Sequence, residues 1–221
     1  MYSYPLQQRQ TKIFKGKETI QVTGSFTIKV EPDAAIAFMG VLTSNKELQV
    51  AQQENSVIAQ RILHSLYKNG IEEKDIQTST YQIYPQYDYV DGKQLFKGYD
   101  VRQVFRVQIT DLNQVGKIID DAVNSGANIV ERIEFSLLDI RVPYLKALAK
   151  AYDVAYEKAK ILAQSSGQTL QPSPINIKEI PDMSSPQPTG KVLAYSTESS
   201  TPIATGQIGV VARVQVDYLF S

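Results

Sequence analysis

From Ile20 onward apolar and polar residues alternate, with Val22, Phe26, Ile28 and Val30 on one parity and Gln21, Thr23, Ser25, Thr27 and Lys29 on the other. A period of two predicts a half-buried strand. Glu31-Pro32-Asp33 follows. Proline fixes φ and a short carboxylate bonds nearby backbone, so this triplet turns the chain into a second strand, Ala34 to Thr43. Both faces of that strand are apolar, which suggests a central, covered position.

Ser44 lies three residues before Glu47, the spacing of a reciprocal helix cap, and Gly70 is a C-terminal stop, so a helix is expected over 46–69. Leu48, Ala51, Ile58, Ile62 and Leu66 share one face of it. Residues 75–90 and 97–110 read as strands joined through Asp91-Gly92-Lys93, a hairpin signal, with Tyr99, Val101, Phe105, Val107 and Ile109 pointing one way. Asp111 with Gln114 opens a second helix ending at Gly126, and Ile129, Ile133, Phe135 and Leu137 form another alternating strand. Pro143 suits the first turn of a third helix that runs to Gly167. Along it Ala147, Ala151, Ala155, Ala159 and Ala163 recur every four residues, a ridge of small side chains that allows close packing.

The stretch from Pro172 to Pro202 holds six of the 10 prolines, interrupted by the apolar pieces Ile175 to Ile177 and Val192 to Tyr195. It reads as a long loop with one edge strand. A last strand then places Ile208, Val210, Ala212, Val214, Val216 and Tyr218 opposite Arg213, Gln215 and Asp217. It must pair with earlier strands to bury its apolar face, so the Pro-rich segment is an insertion within a domain. The order predicts an α+β fold: largely antiparallel sheet covered by three helices, with a Pro-rich loop before the last strand. Residues 1–18 form a polar N-terminal tail, and 19–221 a single domain, alternatively two lobes sharing a core.

A chain of 221 residues with Lys+Arg 23, Asp+Glu 23 and net charge +0 has no overall field to draw it to nucleic acid or anionic membrane. Cys 0 removes thiolate chemistry, and His 1 leaves no imidazole cluster. The longest apolar run, Ala34 to Leu42, is far short of the about 20 residues of a membrane-spanning helix, so a soluble protein is expected. The start, Met1 to Arg9, lacks a hydrophobic signal core, from which cytoplasmic placement is expected.

Few residues suggest chemistry. Pro32-Asp33 with Glu72-Glu73-Lys74 has the letters of a metal-dependent nuclease, but that chemistry needs the second carboxylate and lysine on a strand beside the first aspartate. Glu72 to Lys74 directly follows a helix stop. His64 reads as a helix-surface or boundary residue, and Asp120 with Asp121 or Glu131 with Glu134 as solvated acids. Tyr81, Tyr87 and Tyr89 share one parity of their strand, Tyr84 lies on the other, and Tyr99 follows the turn. These five form the candidate interface, since tyrosine buries large area at low rotamer cost. Base stacking fits poorly because Asp88, Asp91 and Asp100 offset Lys93 and Lys97. The helix near Tyr152 also offers a seam of Leu145, Leu148, Tyr152, Ala155, Ala159 and Leu162, either packed on its own sheet or joining two subunits.

The ordered blocks Val22-Thr23-Gly24, Val30-Glu31-Pro32-Asp33-Ala34, Gly70-Ile71, Asp75-Ile76-Gln77-Thr78, Gly98-Tyr99, Gly126-Ala127-Asn128, Phe135 and the alanine helix together resemble the SIMPL-domain family over about residues 19 to 220. That group includes bacterial periplasmic immunogenic proteins and related oxidative-stress proteins. The resemblance implies no catalytic residues and no cofactor. It implies a protein of unknown biochemical activity, non-enzymatic, forming a homo-oligomer, linked to stress tolerance and placed in the periplasm or at the cell surface. The rival is a monomeric adaptor that binds a protein partner through its Pro-rich loop or Tyr-rich hairpin, and a metal-dependent hydrolase is a third class.

Overall fold

The structure, a computed structural model, describes residues 18–181, the backbone of Gln187–Thr189 and residues 201–221. The polar tail up to residue 17, the apolar piece Val192 to Tyr195 and most of the Pro-rich segment Pro186 to Thr201 lie outside the described residues. In chain order the elements are β1 (Thr19–Val30), β2 (Ala34–Asn45), α1 (Leu48–Lys68), β3 (Ile76–Val90), β4 (Lys93–Ile109), α2 (Val115–Asn124), β5 (Ile129–Ser136), α3 (Arg141–Ser165), β6 (Leu170–Ile180), β7 (Gln187–Thr189) and β8 (Gln207–Phe220). This is the expected α+β mixture with antiparallel pairing. It divides into two compact units.

One unit spans Lys29–Pro143 and Ser184–Val210. Its main sheet has the order β3-β4-β2-β5, so the strand that is apolar on both faces does occupy the interior. Ala35, Ala37, Met39 and Val41 of β2 join Phe105, Val107 and Ile109 of β4 in a core closed by Ile62 and Leu66 of α1 and Val115 and Ile118 of α2. β7 pairs with the first residues of β8.

The helix start differs from expectation. Ser44 is still in β2, opposite Asp100, and its hydroxyl donates to that carboxylate at 2.6 Å. Glu47 is the N-cap without a side-chain bond, and its N–H donates to the Asn45 side chain at 3.1 Å. A strand partner has claimed the serine, and a local asparagine turn fixes the chain just before the helix. At α2, Asp111 caps as expected, accepting from Asn113 N at 3.1 Å, although one 3-10 turn, Leu112–Gln114, precedes the helix proper.

The other unit lies within Met1–Ile28, Tyr144–Met183 and Val211–Ser221, with strand order β1-β8-β6. The five ridge alanines of α3 are all buried, and Ala151, Ala155 and Ala159 sit against Val22, Val214, Val216 and Tyr218. A Cβ on Gly24 would stand 1.9 Å from the Ala151 carbonyl oxygen, so strand and helix backbones touch there. Burial is the main cause that pushes the Tyr218 hydroxyl pKa upward, with Tyr152 and Tyr156 adding to it.

The stretch from Pro172, read as a loop with one edge strand, is continuous strand as far as Ile180. Prolines lack the N–H of a regular ladder, and β6 tolerates Pro172 and Pro174 because it is an edge strand whose register against β8 shifts between Leu170 and Asn176. Asp217 accepts from Asn176 of β6 at 2.9 Å and Gln21 of β1 at 2.8 Å, tying the three strands together. These two bonds hold its carboxyl below the usual range.

Candidate functional site

The hairpin turn is local in origin. Asp91 and Gly92 both have positive φ, 51° and 74°, the combination whose twist matches paired strands. Pairing therefore starts at once, Val90 opposite Lys93, and β4 begins four residues earlier than the sequence pattern indicates. Pairing of β2 with β4 stops at Asn45 opposite Tyr99. Residues 86–97 thus form a two-stranded arm whose β4 side has no further strand.

The root of the arm is fixed by polar bonds and close approach. Asp100 accepts from Ser44 Oγ at 2.6 Å and Gln86 Nε2 at 2.7 Å. A Cβ on Gly98 would lie 2.6 Å from the Asn45 carbonyl oxygen, so only glycine lets the strands meet there. Gln86 faces Gly98 and Tyr87 faces Phe96, leaving Lys97 bulged out, with its ammonium 3.6 Å from Asp88.

Cross-strand pairing places Tyr87 and Phe96 on one face, their rings edge to face at 5.8 Å, and Phe96 meets Tyr99 in the same manner at 5.1 Å. Of the five expected interface residues, Tyr81, Tyr84, Tyr87 and Tyr89 are exposed, Tyr89 by 74%, whereas Tyr99 is half-buried at the root. Tyr87 and Tyr99 are brought together by Phe96. Tyr81 instead accepts weakly from Gln52 of α1 at 3.4 Å, and Tyr84 bonds Gln82. Sequence reading missed Leu95 and Phe96 as strand residues because it placed them between the turn and the second strand; like Val90 at the end of β3, each is about half exposed. The available signal was the two-residue Asp91-Gly92 turn, which obliges its neighbours to pair.

The other chemical candidates have structural partners. Asp33 accepts from Leu138 N at 2.7 Å and its N–H donates to Ser136, so this turn aspartate fastens the segment after β5. Glu72 pairs with Lys74 at 2.8 Å. Among the described residues no group of three His, Asp or Glu side chains is placed to hold a metal. Asp120 accepts from Thr201, while Glu131 and Glu134 pair with Arg102 and Arg132. His64 is exposed on α1 at the edge of an open cleft of about 670 Å³. A buried polar knot went unread in the sequence: Asn55 of α1 donates to Val101 O at 2.8 Å, and Thr43 donates to Ala51 O at 2.7 Å.

The chain resembles the 26 kDa periplasmic immunogenic proteins of Brucella melitensis biotype 1 and Brucella abortus (strain S19), 30% identical to each over 97% of this chain and 90% of each relative. It is also 26% identical to the uncharacterized protein YggE of Escherichia coli (strain K12), over 69% of this chain and 62% of that one. Residues 20–218 match the SIMPL family, described as proteins of unknown function, and the chain belongs to that family.

Proposed function

We propose that this SIMPL protein is a non-enzymatic, self-assembling protein whose arm, residues 86–97, docks onto a second copy of the chain. The observation that carries this reading is a two-stranded ribbon with Tyr87, Tyr89, Val90, Leu95 and Phe96 exposed. An isolated two-stranded hairpin is marginal in water, so these side chains add little to folding and present contact area instead. The arm's charges balance, Asp88 and Asp91 against Lys93 and Lys97, so two copies do not repel. β3 is also the edge of its sheet, and its outer N–H and C=O groups suit main-chain pairing with a partner strand. Residues 19–221 act as one functional module in this reading, with no cofactor and no nucleic acid. The name of the Brucella relatives supports periplasmic or cell-surface placement over the cytoplasmic expectation. The link to oxidative-stress tolerance rests on family resemblance.

Light scattering after gel filtration, repeated across dilution, tests the proposal. A discrete multi-subunit mass that falls toward the monomer in the Tyr87→Ser/Phe96→Ser double variant is expected. A monomeric wild type at every concentration overturns it in favour of an adaptor, and a variant that assembles unchanged overturns the arm as the contact between copies.

A further inference from the structure

A different surface of the same unit carries an unbalanced charge. Arg61, His64 and Lys68 follow one another along α1 at spacings of three and four, and Lys117 of α2 faces the same open cleft of about 670 Å³, a volume in the range of small-ligand sites. The cleft has one carboxylate, Asp121, and it is already engaged. It accepts from Lys117 Nζ at 2.7 Å and from Asn69 Nδ2 at 3.0 Å, which hold its carboxyl below the usual range. Asn69 also accepts from Lys117 at 2.6 Å and donates to Ser65 O at 3.0 Å, so the lysine is held in place from both helices. Among the described residues neither Arg61 nor Lys68 has an ion-pair partner, although acids and bases are equal in number along the chain.

Helix electrostatics accounts for only part of this cluster. Lys68 in the last turn of α1 is favoured by the helix dipole. Lys117 lies in the first turn of α2, where that dipole opposes a cation, and Arg61 lies in neither end turn. Arg61, Lys68 and Lys117 against Asp121 leave two positive charges uncompensated. A phosphate monoester carries about −1.5 to −2 at neutral pH, which matches that excess, and a guanidinium fork with an ammonium beside it is a favourable donor set for its oxygens.

We propose that the cleft between α1 and α2 is a binding site for a small phosphate-bearing anion, with Arg61 and Lys68 contacting the phosphate and Lys117, positioned by Asn69 and Asp121, as a third cation. The site is independent of the arm.

Titration of the full chain with inorganic pyrophosphate and, separately, glycerol 3-phosphate, at constant ionic strength, tests it by calorimetry and amide NMR shifts. Saturable binding is expected, with shifts gathered at residues 61–69 and 117–126. The tighter ligand tells whether the site prefers an ester or a free anion. Arg61→Gln and Lys68→Gln should each weaken binding about tenfold, or about 1.4 kcal/mol. Lys160→Gln, at an exposed lysine of the other unit, should leave it unchanged. Arg61→Lys, which keeps the charge and loses the fork, should fall between. Absence of saturation by either ligand, or equal weakening by Lys160→Gln, overturns the proposal, the latter by showing diffuse attraction only.

Discussion

The β3–β4 pair carries large apolar side chains along its whole length, yet its two ends differ completely in what covers them. Toward Ile109, Val101, Val104, Phe105 and Val107 are sealed, because β4 has β2 on its other side and helices close the core. Toward the turn, Tyr87, Tyr89, Leu95 and Phe96 are exposed, because β2 stops pairing at Tyr99. The same residue types thus serve folding at one end and remain available for contact at the other. An apolar strand position shows that something must cover it, and only the neighbouring elements tell whether the chain itself supplies the cover.

That contrast breaks most clearly in a pair of phenylalanines. Phe105→Ala should lower unfolding free energy by about 3–5 kcal/mol, read from urea denaturation, since it opens a cavity among buried side chains. Phe96→Ala should cost under about 1 kcal/mol in the dissociated chain, because its ring is half exposed and touches only Tyr87 and Tyr99 among the described aromatic rings. Equal costs would mean that the arm belongs to the folding core. A smaller effect sharpens the root end: Asn55→Ala should cost about 1–3 kcal/mol by stranding the buried Val101 carbonyl that its amide serves at 2.8 Å. An effect near zero would show that water replaces the amide.

Much of this was legible in the sequence where one local rule decides the outcome. The alanine period of four put Ala147 to Ala163 on the buried face, and Asp91-Gly92 fixed the turn. What escaped depends on partners distant along the chain. Ser44 looked like a cap until its strand neighbour Asp100 engaged it. Asn55 drew no reading at all because nothing local shows the carbonyls it meets. The basic cleft joins residues 61–68 to Lys117, a juxtaposition created only when α1 and α2 lie side by side on the sheet. The prolines of β6 obscured the full length of that edge strand because edge position and register shifts, which permit them, are properties of the sheet.

The smallest effect concerns the turn itself. Gly92 has φ of 74° and no atom within 4 Å of where a Cβ would stand, so Gly92→Ala adds backbone strain of about 1 kcal/mol and no clash. Gly40, in the body of the sheet, is the opposite case: a Cβ there would lie 2.0 Å from the Gln103 carbonyl oxygen. Strain placed at the tip should be relieved by local opening of the arm, since few buried contacts tie residues 87–96 to the rest. Amide exchange of those residues should therefore quicken about fivefold in Gly92→Ala while the urea midpoint stays in place. A midpoint that falls together with the exchange protection would show the arm folding cooperatively with the body, and the exposed aromatics would then contribute to folding as well as to contact.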